Sequence, residues 1–391
     1  MKLVLLCLIL LLFFVPKSKA LVLSPDANIS LLTCESGDEI YSYFGHSAIR
    51  INDPKSGVDY VFNYGVFSFD TPNFTWRFMK GETDYMIAGQ RMNSFLEAYV
   101  EENRTVYEQI LDLTPIEKQA LFDALLENSK VENRLYRYRH FSDNCSTRVR
   151  DQFEKCVSHA LHYDTSKDPK LTYRQLIDQC VPVNSWDGFG IKIGLGMPTD
   201  EQTTFAQKMF LPIYLMNSMA SATVERDGVK KLFVQPKTIL FQATPRVSAF
   251  DFTSPVVFFI ALFILILGLT ALEVRRKSRF IWLDFILFLS LGLCGLLLSF
   301  LCFVSLLEAT GSNLNLIWAL PTHFIFAILW LFKSLRPRLL GYLKFTVVSS
   351  ALFLLGMAFL PQTFHWLVIP ICLIIILRSG SALLYRDNLV A

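Results

Sequence analysis

Charge is scarce in this chain. Of 391 residues, 18% are charged and 52% are apolar, against roughly 25% charged in soluble globular domains. That scarcity excludes a disordered chain, a coiled coil and a simple cytosolic enzyme. Residues 21–250 contain no block of Lys and Arg, and the net charge is only +3, so nucleic acid is not an expected partner. A glycine-rich phosphate loop is missing, so no nucleotide cofactor is expected. Neither C-x-x-C nor H-E-x-x-H occurs, so no metal is expected either. There is no internal repeat and no low-complexity tract.

What the chain does have is unevenly placed. Mean hydropathy is +0.38, but residues 21–250 read as an ordinary soluble domain while 254–378 are almost continuously apolar. Residues 1–20 combine Lys2, an apolar stretch from Leu3 to Val15, and small residues at Ser18 and Ala20. This is the pattern of a secretory signal cut after Ala20; an uncleaved anchor is the alternative. Either way the 21–250 domain is exported.

Five apolar runs follow, at about 254–273, 280–305, 314–332, 343–360 and 364–378. Each is near or above bilayer length, the last being the shortest and interrupted by Pro370. Arg275, Arg276, Lys277 and Arg279 mark one connection; Lys333, Arg336, Arg338 and Lys344 mark another; Arg378 and Arg386 mark the tail. The alternate loops, 306–313 and 361–363, have no Lys or Arg. The asymmetry places 274–279, 333–344 and the C-terminus in the cytoplasm, and so the 21–250 domain outside. Glu273 and Asp284 flank the first cytoplasmic turn and are expected to snorkel. His323 lies deeper, as a functional candidate or as a partner for a carbonyl freed by Pro321.

The exported part reads as α+β. Ser47–Ile51 and Asp59–Tyr64 flank a turn-rich link and form a hairpin. Val66–Phe69 and Asp84–Ala88 are further strands. Helices are expected at Phe95–Glu101, at Pro115–Ser129 behind the cap Thr114, from Cys145 to about His159, at Tyr173–Cys180 and over 201–221.

Four cysteines remain outside: Cys34, Cys145, Cys156 and Cys180. An oxidising compartment permits all four to pair. Cys145 differs because Asp143 or Asn144 can cap a helix that starts at Cys145. A thiol there meets unpaired N–H groups and the positive end of the helix dipole, which favour thiolate. Such a nucleophile needs a base. His46, behind Gly45 at the start of a strand, and His140, five residues before Cys145, are the candidates. His159 and His162 sit at the far end of the Cys145 helix.

The segments YFGHSAIRI (43–51), DYVFNYGVFSF (59–69) and FSDNCSTRVRD (141–151) resemble the exported domain of the Lnb-type lipoprotein N-acyltransferases. That group resembles a branch of the circularly permuted papain-like superfamily, to which the lecithin–retinol acyltransferases also belong. The resemblance continues through TYRQLI (172–177), WDGFGIKIGLGMPTD (186–200), FLP (210–212) and the five-span tail. It implies a signal peptide at 1–20, a papain-like catalytic domain at 21–250 and a five-helix membrane domain at 251–391. It further implies His46 as base and Cys145 as nucleophile, with a polar residue on the next strand orienting the histidine. Asn63 is the choice for that residue and Asp59 the alternative, because alternation puts both on one face. Arg148, Arg50 and Tyr64 are substrate-binding candidates, with Arg77 as a further basic residue for a lipid phosphate. Phe74, Trp76 and Phe78 suit either the membrane interface or core packing.

The implied reaction moves an acyl chain from a membrane phospholipid, through a Cys145 thioester, to the α-amine of a diacylated lipoprotein. It needs no cofactor, and it places the chain in a bacterial inner membrane with a periplasmic catalytic domain. Two other readings stand beside it: a papain-like peptidase or amidase acting on cell-envelope peptide, and a scaffold whose cysteines are all paired.

Overall fold

The computed structural model describes residues 21–158, 160–166, 168–226, 228–245 and 251–384. The expected signal peptide, His159 and Arg386 lie outside the described residues. Ten strands occur among those described: β1 (Asn28–Cys34), β2 (His46–Asp53), β3 (Val58–Val66), β4 (Asp84–Arg91), β5 (Val106–Ile110), β6 (Leu135–Arg137), β7 (Leu161–His162), β8 (Thr223–Arg226), β9 (Val229–Leu232) and β10 (Thr238–Phe241). Seven form an antiparallel sheet in the order β10-β5-β1-β2-β3-β4-β6, and β7-β8-β9 form a small second sheet. The exported helices are α1 (Phe74–Lys80), α2 (Met92–Glu101), α3 (Pro115–Asn128), α4 (Cys145–Cys156), α5 (Tyr173–Asp178), α6 (Trp186–Gly194), α7 (Phe205–Lys208) and α8 (Pro212–Ser221).

Both faces of the large sheet are covered. Ile29, Leu31, Ile49, Ile51 and Phe62 pack on Leu121 and Leu125 of α3 and Val149 and Phe153 of α4. Leu32, Ala48, Val61 and Val106 pack on Met92 and Phe95 of α2. This double burial explains why β1 is not visible as an alternating pattern in the sequence: a central strand covered on both sides is apolar at successive positions. The expected hairpin is present, with Ala48 opposite Asn63 and Asp53 opposite Val58. Helix α3 opens on the expected cap. Thr114 accepts from the Glu117 N–H, and the Glu117 carboxylate accepts from the Thr114 N–H at 2.7 Å, a reciprocal arrangement that satisfies two end donors.

Three expectations are corrected. Of Val66–Phe69, only Val66 is strand; Phe67 and Phe69 turn into an aromatic cluster with Phe74. The helix expected over 201–221 is split into α7 and α8, because Pro212 holds Leu211 in an extended conformation. Pro370 does not break the last apolar run, since it lies in the first turn of a helix, where proline is tolerated.

The C-terminal part is helical: α9 (Pro255–Arg276), α10 (Ile281–Phe303), α11 (Thr322–Trp330), α12 (Arg336–Gly356) and α13 (Val368–Leu384). Among the described residues, three helical stretches, Pro255–Arg276, Ile281–Phe303 and Lys333–Gly356, are long and apolar enough to cross a membrane, and Leu314–Trp330 and Val368–Leu384 are shorter apolar helices. The third apolar run is a 3₁₀ turn followed by α11, with the break at Leu320 and Pro321. His323 sits at that break. Its Nε2–H donates to the Trp318 carbonyl at 3.1 Å, and its Nδ1 accepts from the Tyr342 hydroxyl at 2.8 Å. Both ring nitrogens are occupied by structural partners.

Glu273 and Asp284 do not snorkel. Both are buried and bind Arg378, which is itself fully buried in α13 beside the turn that carries Arg279.

The two parts meet over a hydrogen-bonded face. Carbonyls at the C-terminal end of α6, which its own turns leave unpaired, accept from loops between the membrane helices. Asn313 donates to Ile193 and Gly194, Asn315 to Ile193, and Gln362 to Leu195. Trp186 donates to the Thr253 carbonyl. The 186–200 segment is thus the seat of the exported domain on the membrane part.

Candidate active site

Helix α4 starts at Cys145 because Asn144 caps it. The Asn144 side-chain oxygen accepts from the N–H groups of Ser146 and Thr147, both at 2.9 Å. Its amide nitrogen donates to the carbonyls of His140 and Phe210, both at 2.8 Å. All the hydrogen-bonding capacity of this buried side chain is therefore used. The cap fixes the lead-in loop and the FLP segment against the first turn of the helix. Cys145 follows at 7% exposure.

His46 is the first residue of β2. Gly45, just before it, has φ +76°, and a Cβ there would stand 2.6 Å from the Cys34 carbonyl oxygen, so only glycine fits. His46 Nε2 lies 3.1 Å from Asn63 Oδ1. With Asn63 accepting from Nε2–H, the unprotonated Nδ1 is the nitrogen left for the thiol, to which His46 is hydrogen-bonded. Asn63 is placed by the hairpin register, diagonal to His46 across the strand pair. Asp59, the alternative, is turned to Arg50 instead.

Burial alone would push the Cys145 thiol up. The charge and hydrogen bond of His46, the Ser47 N–H and the Ser146 hydroxyl outweigh burial and bring the thiol below its ordinary value. Ser146 is held by Ser47, with hydroxyls 2.8 Å apart. Cys34, by contrast, is buried with its thiol pushed up to about 12, mainly by burial. All seven described cysteines are free.

The other expected site residues fare differently. Arg148 lies one turn beyond Cys145, but its guanidinium is held by the Asp143 carboxylate at 2.6 and 2.8 Å and lies 3.5 Å over the Tyr136 ring. Arg50 is not brought to Cys145. It lies four residues along β2 from His46, roughly 13 Å at strand rise, and is bound by Asp59 and Glu108. Tyr64 is not open to a substrate: it is 1% exposed and its hydroxyl accepts from Asn128. Arg77 is paired with Asp84. His140 is near Cys145 in the chain, but its ring packs edge-on against Tyr138 and Phe78. Burial lowers its proton affinity. His162 lies on the second sheet. Tyr173 stacks on Phe141 at 4.3 Å, and Arg174 binds Asp200 and the carbonyls of Leu195 and Gly196. Both therefore hold the loop before Cys145 and the membrane seat together.

Sequence reasoning missed three contributors. Tyr138 is hydrogen-bonded to Cys145. Tyr136 stands one alternation earlier, so Tyr136, Tyr138 and His140 form a Y-x-Y-x-H pattern that could have signalled one face. Glu308, from the loop between membrane helices, accepts from the Phe141 N–H at 3.1 Å and from the Ser142 hydroxyl. No pattern could have paired a residue with the loop before Cys145 across so long a separation in the chain.

Residues 18–179 match the family model described as the Lnb N-terminal periplasmic domain, and residues 247–388 match the Lnb transmembrane domain. The chain belongs to the Lnb lipoprotein N-acyltransferase family. It is accordingly a membrane protein with a periplasmic domain. No curated protein and no solved structure matches it.

The environment of Cys145 in this Lnb-family chain makes a prediction about reactivity. Alkylation by iodoacetamide, followed by intact mass against pH, should show an inflection below the ~8.5 of a free cysteine. His46→Ala removes the main stabiliser of the thiolate, so its inflection should move upward. An unchanged inflection would mean that His46 does not act on the thiol.

Proposed function

We propose that the chain transfers an acyl chain from a phospholipid to the α-amine of a diacylglyceryl-cysteine at a lipoprotein N-terminus, at the outer face of a bacterial inner membrane. The observation that carries this reading is a pair of aromatic rows that leave α1, the helix whose Trp76 meets a membrane helix, and converge on Tyr138 beside the thiol. Trp76 of α1 packs on Phe300 of α10 at 5.0 Å. Phe78 of the same helix reaches His140 at 6.3 Å, which in turn contacts Tyr138. Phe74, Phe67 and Tyr85 make a second row that ends where Tyr85 stacks on Tyr138 at 4.2 Å. Trp76, Phe78 and Phe69 remain exposed. Exposed aromatics beside a membrane helix suit the interfacial zone. An acyl chain following them to Cys145 avoids water, at about 0.8 kcal/mol per CH₂.

In the first half-reaction His46 takes the Cys145 proton and the thiolate attacks an ester carbonyl. As the tetrahedral adduct collapses, the lysophospholipid oxygen leaves with the proton from His46. In the second half the free amine attacks the thioester, His46 removes the amine proton, and the sulfur leaves as thiolate. The order is ping-pong. No metal or nucleotide enters any step.

The test is intact mass of a diacylated lipopeptide incubated with phospholipid vesicles and full-length protein. A gain of one acyl chain with wild type alone supports the reading. No gain in a folded preparation overturns it and moves the search to peptide amide hydrolysis. The aromatic route is tested separately. Trp76→Glu sets a charge at the interface, and should lower transfer from vesicles about tenfold, as roughly 1.4 kcal/mol of lost lipid contact would, while Cys145 alkylation stays unchanged. Equal rates with wild type would place lipid entry elsewhere.

A further inference from the structure

The Tyr136 hydroxyl is enclosed by protein and has no hydrogen-bond partner among the described residues. Folded proteins pair nearly all such groups, and an exception calls for a reason, catalysis among them. Its position supplies one. Gly65 lies at the bulge between β3 and β4 with φ +86°, and presents bare backbone. A Cβ there would stand 3.5 Å from Cys145 Cβ and 3.9 Å from the Tyr136 hydroxyl. The phenol and the nucleophile therefore border the same glycine.

The ring cannot swing away. Arg148 covers it at 3.5 Å and is itself fixed by two hydrogen bonds to Asp143. Tyr64 meets it edge-on at 6.3 Å. Burial, followed by the nearby Cys145, pushes its ionisation well up, so the hydroxyl keeps its proton. Tyr138, two residues on, already bonds the sulfur. Of two phenols beside the nucleophile, one is engaged in the resting state and one is not.

We propose that Tyr136 is a further catalytic residue, whose hydroxyl donates to the oxyanion formed when Cys145 attacks a carbonyl. The C–S bond forms as the carbonyl π pair moves to oxygen. Tyr136 donates a hydrogen bond to that oxygen without losing its proton. On collapse the pair returns, the C=O bond reforms and the bond to the leaving oxygen breaks. This fixed donor without a resting partner has no bond to break before it acts. It also explains why Arg148, which carries no free charge for a lipid phosphate, stands beside the nucleophile: it holds the Tyr136 ring.

The inference rests on the proposed role of Cys145 and not on the natural substrate, so the test uses a synthetic ester. Full-length Tyr136→Phe in detergent is acylated with p-nitrophenyl octanoate, and the acyl adduct on Cys145 is followed by mass in a single turnover. Iodoacetamide alkylation, which forms no oxyanion, is the control. The expected result is acylation slower by 10²–10³-fold, alkylation and its pH profile unchanged, and thermal stability equal to or above wild type, because an unpaired buried hydroxyl is gone. Tyr138→Phe should instead shift the alkylation profile upward. Acylation by Tyr136→Phe within tenfold of wild type overturns the proposal. A parallel loss of alkylation and acylation also overturns it, since Tyr136 would then only position the thiol. No adduct on Cys145 in wild type would overturn the nucleophile assignment itself. An adduct there, with no transfer from phospholipid to lipopeptide, would instead remove the substrate reading and leave this one standing.

Discussion

Cys145→Ala should abolish acyl transfer to the lipopeptide, with a loss of at least about 10⁴-fold, and His46→Ala should lose nearly as much. A nucleophile and its base act as one unit, so removing both should cost little more than removing either. The geometry makes this expectation specific. Cys145 has the helix start, the Asn144 cap and His46 converging on one sulfur. The other exported thiols lack these, and burial raises the thiols of Cys34, Cys156 and Cys180 alike. Asn63→Ala should cost less, about 10²-fold, because it only misplaces the His46 ring. Intact mass separates the half-reactions: wild type starved of acceptor should carry one acyl chain on Cys145, and His46→Ala none. Transfer by Cys145→Ala at the wild-type rate would end the thiol mechanism, whatever the fate of the substrate reading.

The centre of this site was legible because its signals are local. A polar cap, a cysteine and a helix-forming run sit within a few residues, and period-two alternation points from Asp59 to Asn63. The alternation left two candidates, and only the tertiary arrangement separates them: Asp59 meets Arg50, while Asn63 meets His46. The basic residues show the opposite case. Arg50 and Arg148 looked free for a phosphate, yet each has a carboxylate within nine residues that holds it in a two-pronged pair. A guanidinium next to a nucleophile is as readily structural as substrate-binding when its planar fork finds a matching acid. Tyr136 and Tyr138 went unread because β6 ends at Arg137, so the Y-x-Y-x-H spacing runs past the strand into the loop before Cys145. The membrane seat was legible only as a motif of unknown purpose. Its helix, with glycines and few strong helix formers, ends on carbonyls that need amide donors from loops more than a hundred residues away.

Arg378 has partners too remote in the chain for its sequence setting to reveal, and it makes the second large prediction. A basic residue at the end of an apolar run reads as a cytoplasmic flank. Here it is fully buried. It bonds both oxygens of Glu273 on α9, Asp284 on α10 and the Thr270 hydroxyl, while Arg279 holds the other side of Asp284. Two cations and two anions thus tie three membrane helices together with no net charge. Arg378→Leu leaves Glu273 buried without the cation that bonds both its oxygens, and breaking such a pair costs about 3–5 kcal/mol. The full-length variant in detergent should therefore unfold at a markedly lower temperature. Adding Glu273→Leu should recover more than half of that loss. The second change removes the stranded charge, Asp284 keeps Arg279, and an ion pair replaced as a whole by apolar side chains is close to neutral. The cycle separates a tie between helices from a general intolerance of change at α13: if the double variant is no more stable than Arg378→Leu, the loss comes from packing rather than from the charge left on Glu273.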